Sequence, residues 1–371
     1  MPRLRFKVWQ LLSVIAVLAA FPAIAQAAGR RPFLSRFSTL DVVGSTVPAN
    51  GDINPYGIAV VPGTTGNLVA GDVLVSNFNA SSNFQGTGTT IVELTPGGSL
   101  SLFAAIDPTM TPASGCPGGI GLTTALVALR NGDVIVGSLP TTTTDGVTTS
   151  SGSGCLLVLD SSGNVIDTIS GGTINGPWDM TAADHGDSVT LFVSNVLNGT
   201  AAAGGSVVNG GTVSRLRLAF RHGSSMPTVV SDQVIADGFR ERTDPAALVI
   251  GPTGVALDRG TLYVADTLGN RIAAISNPLR RKTTAHHAGT TVASGAPLNG
   301  PLGLTRVPGG DLVAANAGDG NLVELSPAGN VVDAKTVETA FGAGSLFGLT
   351  PDGRHGMYFV DDGFNNLTLL D

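Results

Sequence analysis

GPTGVALDRGTLYVADTLGNRIAAIS, residues 251–276, is the stretch whose reading decides the fold. Pro252 fixes φ and punctuates the way in from a loop, and residues 253–257 read as a short strand. Asp258-Arg259-Gly260 has the composition of a tight turn, and residues 261–266 form a β-rich strand apolar enough for burial on both faces. A second turn at 267–270 leads to a third strand at 271–276. So short an antiparallel unit cannot bury two faces alone, and it therefore requires neighbours like itself.

Working outward, five further segments repeat the pattern. They begin at Asn54-Pro55-Tyr56-Gly57, Gly119-Ile120-Gly121-Leu122, Asn175-Gly176-Pro177-Trp178-Asp179, Asn299-Gly300-Pro301-Leu302-Gly303 and Gly344-Ser345-Leu346-Phe347-Gly348. Their second strands are DVLVSN (72–77), DVIVGS (133–138), TLFVSN (190–195), DLVAAN (311–316) and GMYFVD (356–361). Further apolar strands follow in most units, but the last has only NNLTLL (365–370) before the chain ends. That unit is one strand short. A surplus strand, RFSTLDVVG (36–44), stands at the other end of the chain, and the simplest account is that it completes the last sheet and closes a ring.

The composition agrees: 51 glycines and 13% charged residues in 371 suit many short strands joined by turns, not long helices. Residues 1–27 read as a signal peptide, with Arg3, Arg5 and Lys7 before an apolar run at 11–25 and a small-x-small cleavage site at Ala23-Ile24-Ala25 or Ala25-Gln26-Ala27. The alternative is a retained anchor. Residues 28–371 then form one domain, expected to be exported to the periplasm or beyond the cell, with no transmembrane segment in the mature chain. Cleavage removes three of 20 Lys+Arg and none of 27 Asp+Glu, moving the net charge from −7 to −10. So acidic a chain is not expected to take nucleic acid as a partner. Cys116 and Cys155, in an oxidising compartment, are expected to form a disulfide.

The sequence P-x-G-Φ-A followed by L-Y-V-A-D-x-x-G-N-R-I at residues 252–272 resembles the NHL repeat. The resemblance implies an all-β fold: a six-bladed β-propeller of NHL type with four-stranded antiparallel blades, closed by the N-terminal strand of the mature chain. Long insertions at 77–88, 139–154 and 196–211 depart from the repeat.

If the first strand of each blade, strand a, lines the central channel, the loops entering strand a and leaving strand b open on one face. The ligand-binding candidates at that mouth are Asn54, Tyr56, Asn175, Trp178, Asp179 and Asn299. Asp179 is the most informative, because units one, four, five and six carry Gly at its position. Asn77, Asn195, Asp266, Asn316 and Asp361, at the ends of strand b, read as Asx turns, with Asp266 and Arg271 a structural pair.

The functional expectation is a binding module that engages a protein, peptide or glycan through its loop-rich channel face, because no catalytic constellation is complete. The alternative is a Ca²⁺-dependent hydrolase or lyase of the gluconolactonase and paraoxonase type that the fold resembles. It would act on lactones, esters or glycosides, with Asn54, Asn175, Asp179 and Asn299 as metal ligands. Calcium is the one cofactor this reading entertains. G-x-S-x-G, H-E-x-x-H and phosphate-cradling motifs are absent, and His185, His222, His286, His287 and His355 fall off the channel positions, which weighs against zinc.

Overall fold

The computed structural model describes residues 31–139, 141–144, 147–150, 153–220, 226–245, 247–353 and 356–371. The leader at 1–27, His222 and His355 lie outside the described residues. Within them the fold is all β: six antiparallel sheets, five of four strands and one of five, with a small two-stranded hairpin beside them. The sheets are the blades of a propeller. The six strands a are Ile53–Val60, Leu122–Ala128, Pro177–Asp184, Pro252–Asp258, Pro301–Arg306 and Leu346–Pro351, and each packs against the next around one axis.

The ring closes as expected. Leu40–Ser45 pairs antiparallel with Asn366–Leu370, with Leu40 opposite Leu370 and Ser45 opposite Asn366. Beyond the ladder, Thr39 N–H donates to the Asp371 carbonyl (2.9 Å) and Asp371 N–H to the Thr39 carbonyl (3.1 Å). Cys116 and Cys155 form the expected disulfide, with Cα atoms 5.4 Å apart. Among the described residues, no helix is long and apolar enough to cross a membrane.

One irregularity recurs in every blade: strand a slips register against strand b just after its first pair, as between Pro55 and Ile58, Pro177 and Met180, or Pro252 and Val255. The slip frees a backbone N–H that must find a partner. In blade 1 the Gly57 N–H donates to Ser76 Oγ (2.9 Å), and that hydroxyl donates to the Thr123 carbonyl of the next blade (2.8 Å). Blade 3 repeats the device, from Asp179 N–H to Ser194 Oγ (3.1 Å) and on to the Thr253 carbonyl (2.8 Å). A single serine therefore satisfies the bulge and ties two blades together.

The glycine at the slip has its own reason. A Cβ on Gly254 would lie 2.5 Å from the Leu302 carbonyl oxygen, and on Gly303 or Gly348 it would overlap the carbonyl of Phe347 or Tyr56. Adjacent inner strands approach too closely there for any side chain. Asp179 is an exception and reaches across instead, its Oδ2 accepting the Val255 N–H at 2.9 Å; blade 2, also without glycine there, reaches blade 3 through Thr124 Oγ1–H to the Trp178 carbonyl.

Blade 3 carries an outer strand far longer than those of the other blades. Its outer strand, Thr228–Asp244, continues past the sheet and folds back through Leu248–Ile250, with Arg242 opposite Ile250 and Asp244 opposite Leu248. The second insertion forms the hairpin of Thr141–Thr144 with Val147–Ser150.

If close backbone approach sets the geometry, Gly303→Ala should destabilise the protein by about 2 kcal/mol or more. Gly260→Ala, at a turn where an added Cβ meets nothing within 4 Å, should stay within about 0.5 kcal/mol of the parent. Denaturant unfolding of the two variants checks the contrast.

Candidate functional site

In three blades the residue at the start of the bulge is aromatic: Tyr56, Trp178 and Phe347. Tyr56 stacks on Phe347 (centroids 3.9 Å, planes 19° apart), and Trp178 lies 5.9 Å from Tyr56 and 6.3 Å from Phe347. With Leu302 from blade 5 these rings form a buried plug. The Trp178 Nε1–H donates to the Val249 carbonyl (3.2 Å), so the folded-back strand of blade 3 lies over the plug. Leu139, Val196 and Leu197, from the insertions of blades 2 and 3, complete the same apolar cluster. The insertions also bond to one another, Thr141 Oγ1–H donating to the Gly86 carbonyl (2.6 Å). The loop-rich mouth is therefore roofed, and burial drives the Tyr56 phenol well above its usual range, with the Asp362 carboxylate adding to the effect.

The far half of the channel is open. A cavity of about 360 Å³ lies between the later halves of the inner strands and opens toward the turns between strands a and b, beside Pro62, Arg130 and Asp184. Ile58, Leu126, Met180, Leu304 and Leu349 give its walls their apolar part, and Thr124, Thr181, Thr305 and Thr350 stand among them with the carboxyls of Asp179 and Asp184. Asp179 lies deep inside, next to Trp178. Its carboxyl is enclosed by protein on every side although the cavity leaves part of its surface accessible. Burial raises its pKa to about 7, against the opposing effect of backbone hydrogen bonds from Val255 and Met180. The second carboxylate of the cavity is already engaged: Asp184 accepts the Arg130 N–H on Oδ2 (2.7 Å) and the Gly186 N–H on Oδ1 (2.8 Å). Burial thus places the Asp179 carboxyl to exchange a proton near neutrality.

The six candidate residues thus separate into three sets. Tyr56 and Trp178 belong to the plug, and Asp179 to the cavity beyond it. Asn54, Asn175 and Asn299 precede the plug, and their backbone N–H groups are held by the side-chain oxygens of Asn365 (2.7 Å), Asn195 (3.0 Å) and Asn316 (3.1 Å). Asn299 also donates through Nδ2 to Asp319 (3.0 Å). The strand-b residues are structural here. Asn195 and Asn316 cap strand a, while Asp266 accepts the Gly269 N–H (3.1 Å) and pairs with Arg271 Nε (2.7 Å). Arg130 and Asp184 were not singled out by the sequence pattern, which marks the beginnings of the inner strands and carries no repeat at their ends.

Calcium requires several converging oxygens with carboxylates among them. Asn54 Oδ1 and Asn175 Oδ1 are buried without a hydrogen-bond donor in the described structure, but both are neutral. Asn175 precedes Trp178 and Asp179 follows it, so the indole stands between the amide and the one carboxylate of the set. Among the described residues no three His, Cys, Asp or Glu side chains gather where they could hold a metal ion. The four candidate ligands do not fit a calcium site.

No protein-family model matches the chain, and no curated protein matches it. Solved structures do. A gluconolactonase from Xanthomonas campestris superposes with a TM-score of 0.54 at 14% identity, covering 92% of this chain and 95% of its own. The PQQ-bound aldose sugar dehydrogenase of Streptomyces coelicolor gives 0.52 at 16% identity (89% and 97%), and a streptogramin B lyase 0.50 at 13% (90% and 97%). At such identities the likeness is one of fold, and the fold is the six-bladed propeller.

A second buried carboxyl lies outside the cavity. Glu241, fully buried in the outer strand of blade 3, faces Thr200 and the Asn198 backbone without a well-formed hydrogen bond to either oxygen. Burial raises its pKa from 4.5 to about 7. A raised acid favours the folded state while protonated, so its contribution is whole below about pH 4.5 and is lost as the pH climbs through about 7. Unfolding free energy should fall over that window with a share of about 3 kcal/mol from this group. Glu241→Gln should remove that share of the slope, as measured by chemical denaturation at a series of pH values.

Proposed function

We propose that this chain is an exported enzyme, a hydrolase or lyase that opens a small lactone, ester or glycoside inside the far-side cavity, with Asp179 moving the proton. The observation that carries the reading is the position of Asp179: a carboxyl with a pKa of about 7, deep in a cavity of about 360 Å³, where four other blades have glycine. The fold is one that enzymes use, which supports the class by analogy only. Export is the reading of residues 1–27, and the Cys116–Cys155 disulfide agrees with it. The repeat in blade 4 supports placing the propeller in the NHL group.

For a lactone or ester, ionised Asp179 takes a proton from a water as that water adds to the carbonyl carbon. The C–O bond then breaks, and the proton passes from the carboxyl to the leaving oxygen. The Val255 N–H holds one carboxyl oxygen in place (2.9 Å), so the base is oriented before substrate arrives. Burial of the carboxyl keeps its pKa near the working pH. Docking of a protein, peptide or glycan at the opposite face has less support, because the insertions there pack on one another over the plug.

Asp179→Asn keeps an oxygen to accept the Val255 N–H and should unfold like the parent while losing about 10²–10⁴-fold in kcat/KM. With a panel of lactones and aryl esters, parental activity should rise with pH through about 7 and then level. A variant as active as the parent, or a profile flat across that range, overturns the assignment.

A further inference from the structure

Away from the channel, a cleft of about 330 Å³ separates blades 3 and 4. Arg240 and Asn209 line it from the blade 3 side, and Asp266, Arg271 and His287 from blade 4. The charges do not balance. Asp266 is committed to Arg271 Nε (2.7 Å) and the Gly269 N–H (3.1 Å), and Arg271 spends its other two nitrogens on Thr291 Oγ1 (2.6 Å) and the Ala288 carbonyl (3.0 Å). Arg240 meets only the Leu268 carbonyl, at 3.3 Å, and no carboxylate among the described residues pairs with it. The His287 ring and its backbone N–H likewise have no partner among the described residues. Its neighbour His286 is different, held by Asp237 at 3.0 Å.

The backbone that presents His287 is strained. His287 (φ 58°), Ala288 (φ 58°) and Gly289 (φ 67°) are three consecutive left-handed residues, two of them not glycine. Such a run costs free energy and persists only where its surroundings hold it. Here the Ala288 N–H donates to the Asp237 carbonyl (2.7 Å), and Gly238 (φ 84°) lets the blade 3 strand pass so close that a Cβ on it would stand 3.2 Å from the His287 nitrogen. The result is a cleft with surplus positive charge, on a chain whose net charge is −7. A guanidinium fork and an imidazole line the same space, donors of the kind that recognise an oxyanion.

We propose that this cleft between blades 3 and 4 binds the oxyanion group, phosphate or carboxylate, of a small molecule, with Arg240 and His287 as its principal donors. The inference stands apart from the channel and from any activity assigned to it. Titration calorimetry of the full mature chain with inorganic phosphate, and separately with acetate, at ionic strength held constant with sodium chloride, tests it. Saturable binding of at least one anion is expected, and which of the two binds identifies the oxyanion. Arg240→Ala should weaken it at least tenfold and His287→Ala about threefold. Both side chains are exposed, so both variants should keep the parental melting temperature in chloride. Failure of both anions to saturate below about 10 mM, or Arg240→Ala binding as tightly as the parent, overturns the proposal.

Discussion

The whole molecule depends on how closely neighbouring inner strands approach. At Gly254, Gly303 and Gly348 the backbones come within the radius of a single methyl group, so six strands can surround an axis too narrow to remain an open tube along its length. What occupies that axis then decides what kind of propeller this is. Tyr56, Trp178, Phe347 and Leu302 fill one end with rings and an isobutyl group. Past them the walls carry Ala59, Ala128, Ala182 and several threonines, and there the space remains. Asp179 stands at the boundary between the filled and open halves, a place where a side chain replaces the glycine contact and a carboxylate–amide hydrogen bond takes over the joining of two blades.

Burial raises several carboxyls, with different consequences, and five of them strongly. Asp133 and Asp361 are raised to about 6, and Asp179, Glu241 and Asp362 to about 7. In Asp133 an Asn131 amide offsets part of the cost (2.7 Å), and in Asp361 the Phe364 N–H does (3.3 Å). In Glu241 Thr200 and the Asn198 backbone offset only part of it. Asp361 faces a surface pocket, whereas Asp179 faces the channel cavity, where an electrostatic cost becomes a usable proton site.

Much of the fold was legible because its signals are local. The P-x-G-Φ starts, the turn-bounded second strands, the missing last strand and the surplus strand at 36–44 all read directly from neighbouring residues. So did the Asp266–Arg271 pair and the oddity of Asp179. The site was less legible because it is assembled from distant side chains. Nothing near Tyr56 says that Trp178 and Phe347 will meet it on the axis, and so nothing says which end of the channel is closed. The penultimate serines of VSN in blades 1 and 3 read only as strand ends, while the structure makes Ser76 and Ser194 the bridges between blades. The fold-back at Leu248–Ile250 was hidden because the turn before it, Asp244-Pro245, reads as the end of an ordinary strand.

The pairing of Leu40–Ser45 with Asn366–Leu370 also has a bearing on how the chain reaches its final state. A ribosome releases residue 40 long before residue 370, so the earlier strand waits, exposed, for the later one. Leu40 and Val42 keep apolar side chains on the outer face even after that wait ends. Until its partner arrives, this segment is a free strand with hydrophobic ornament, the sort of surface that invites pairing with another polypeptide. A chain built this way has reason to delay compaction, or to be held by a helper, until residues 366–370 have emerged.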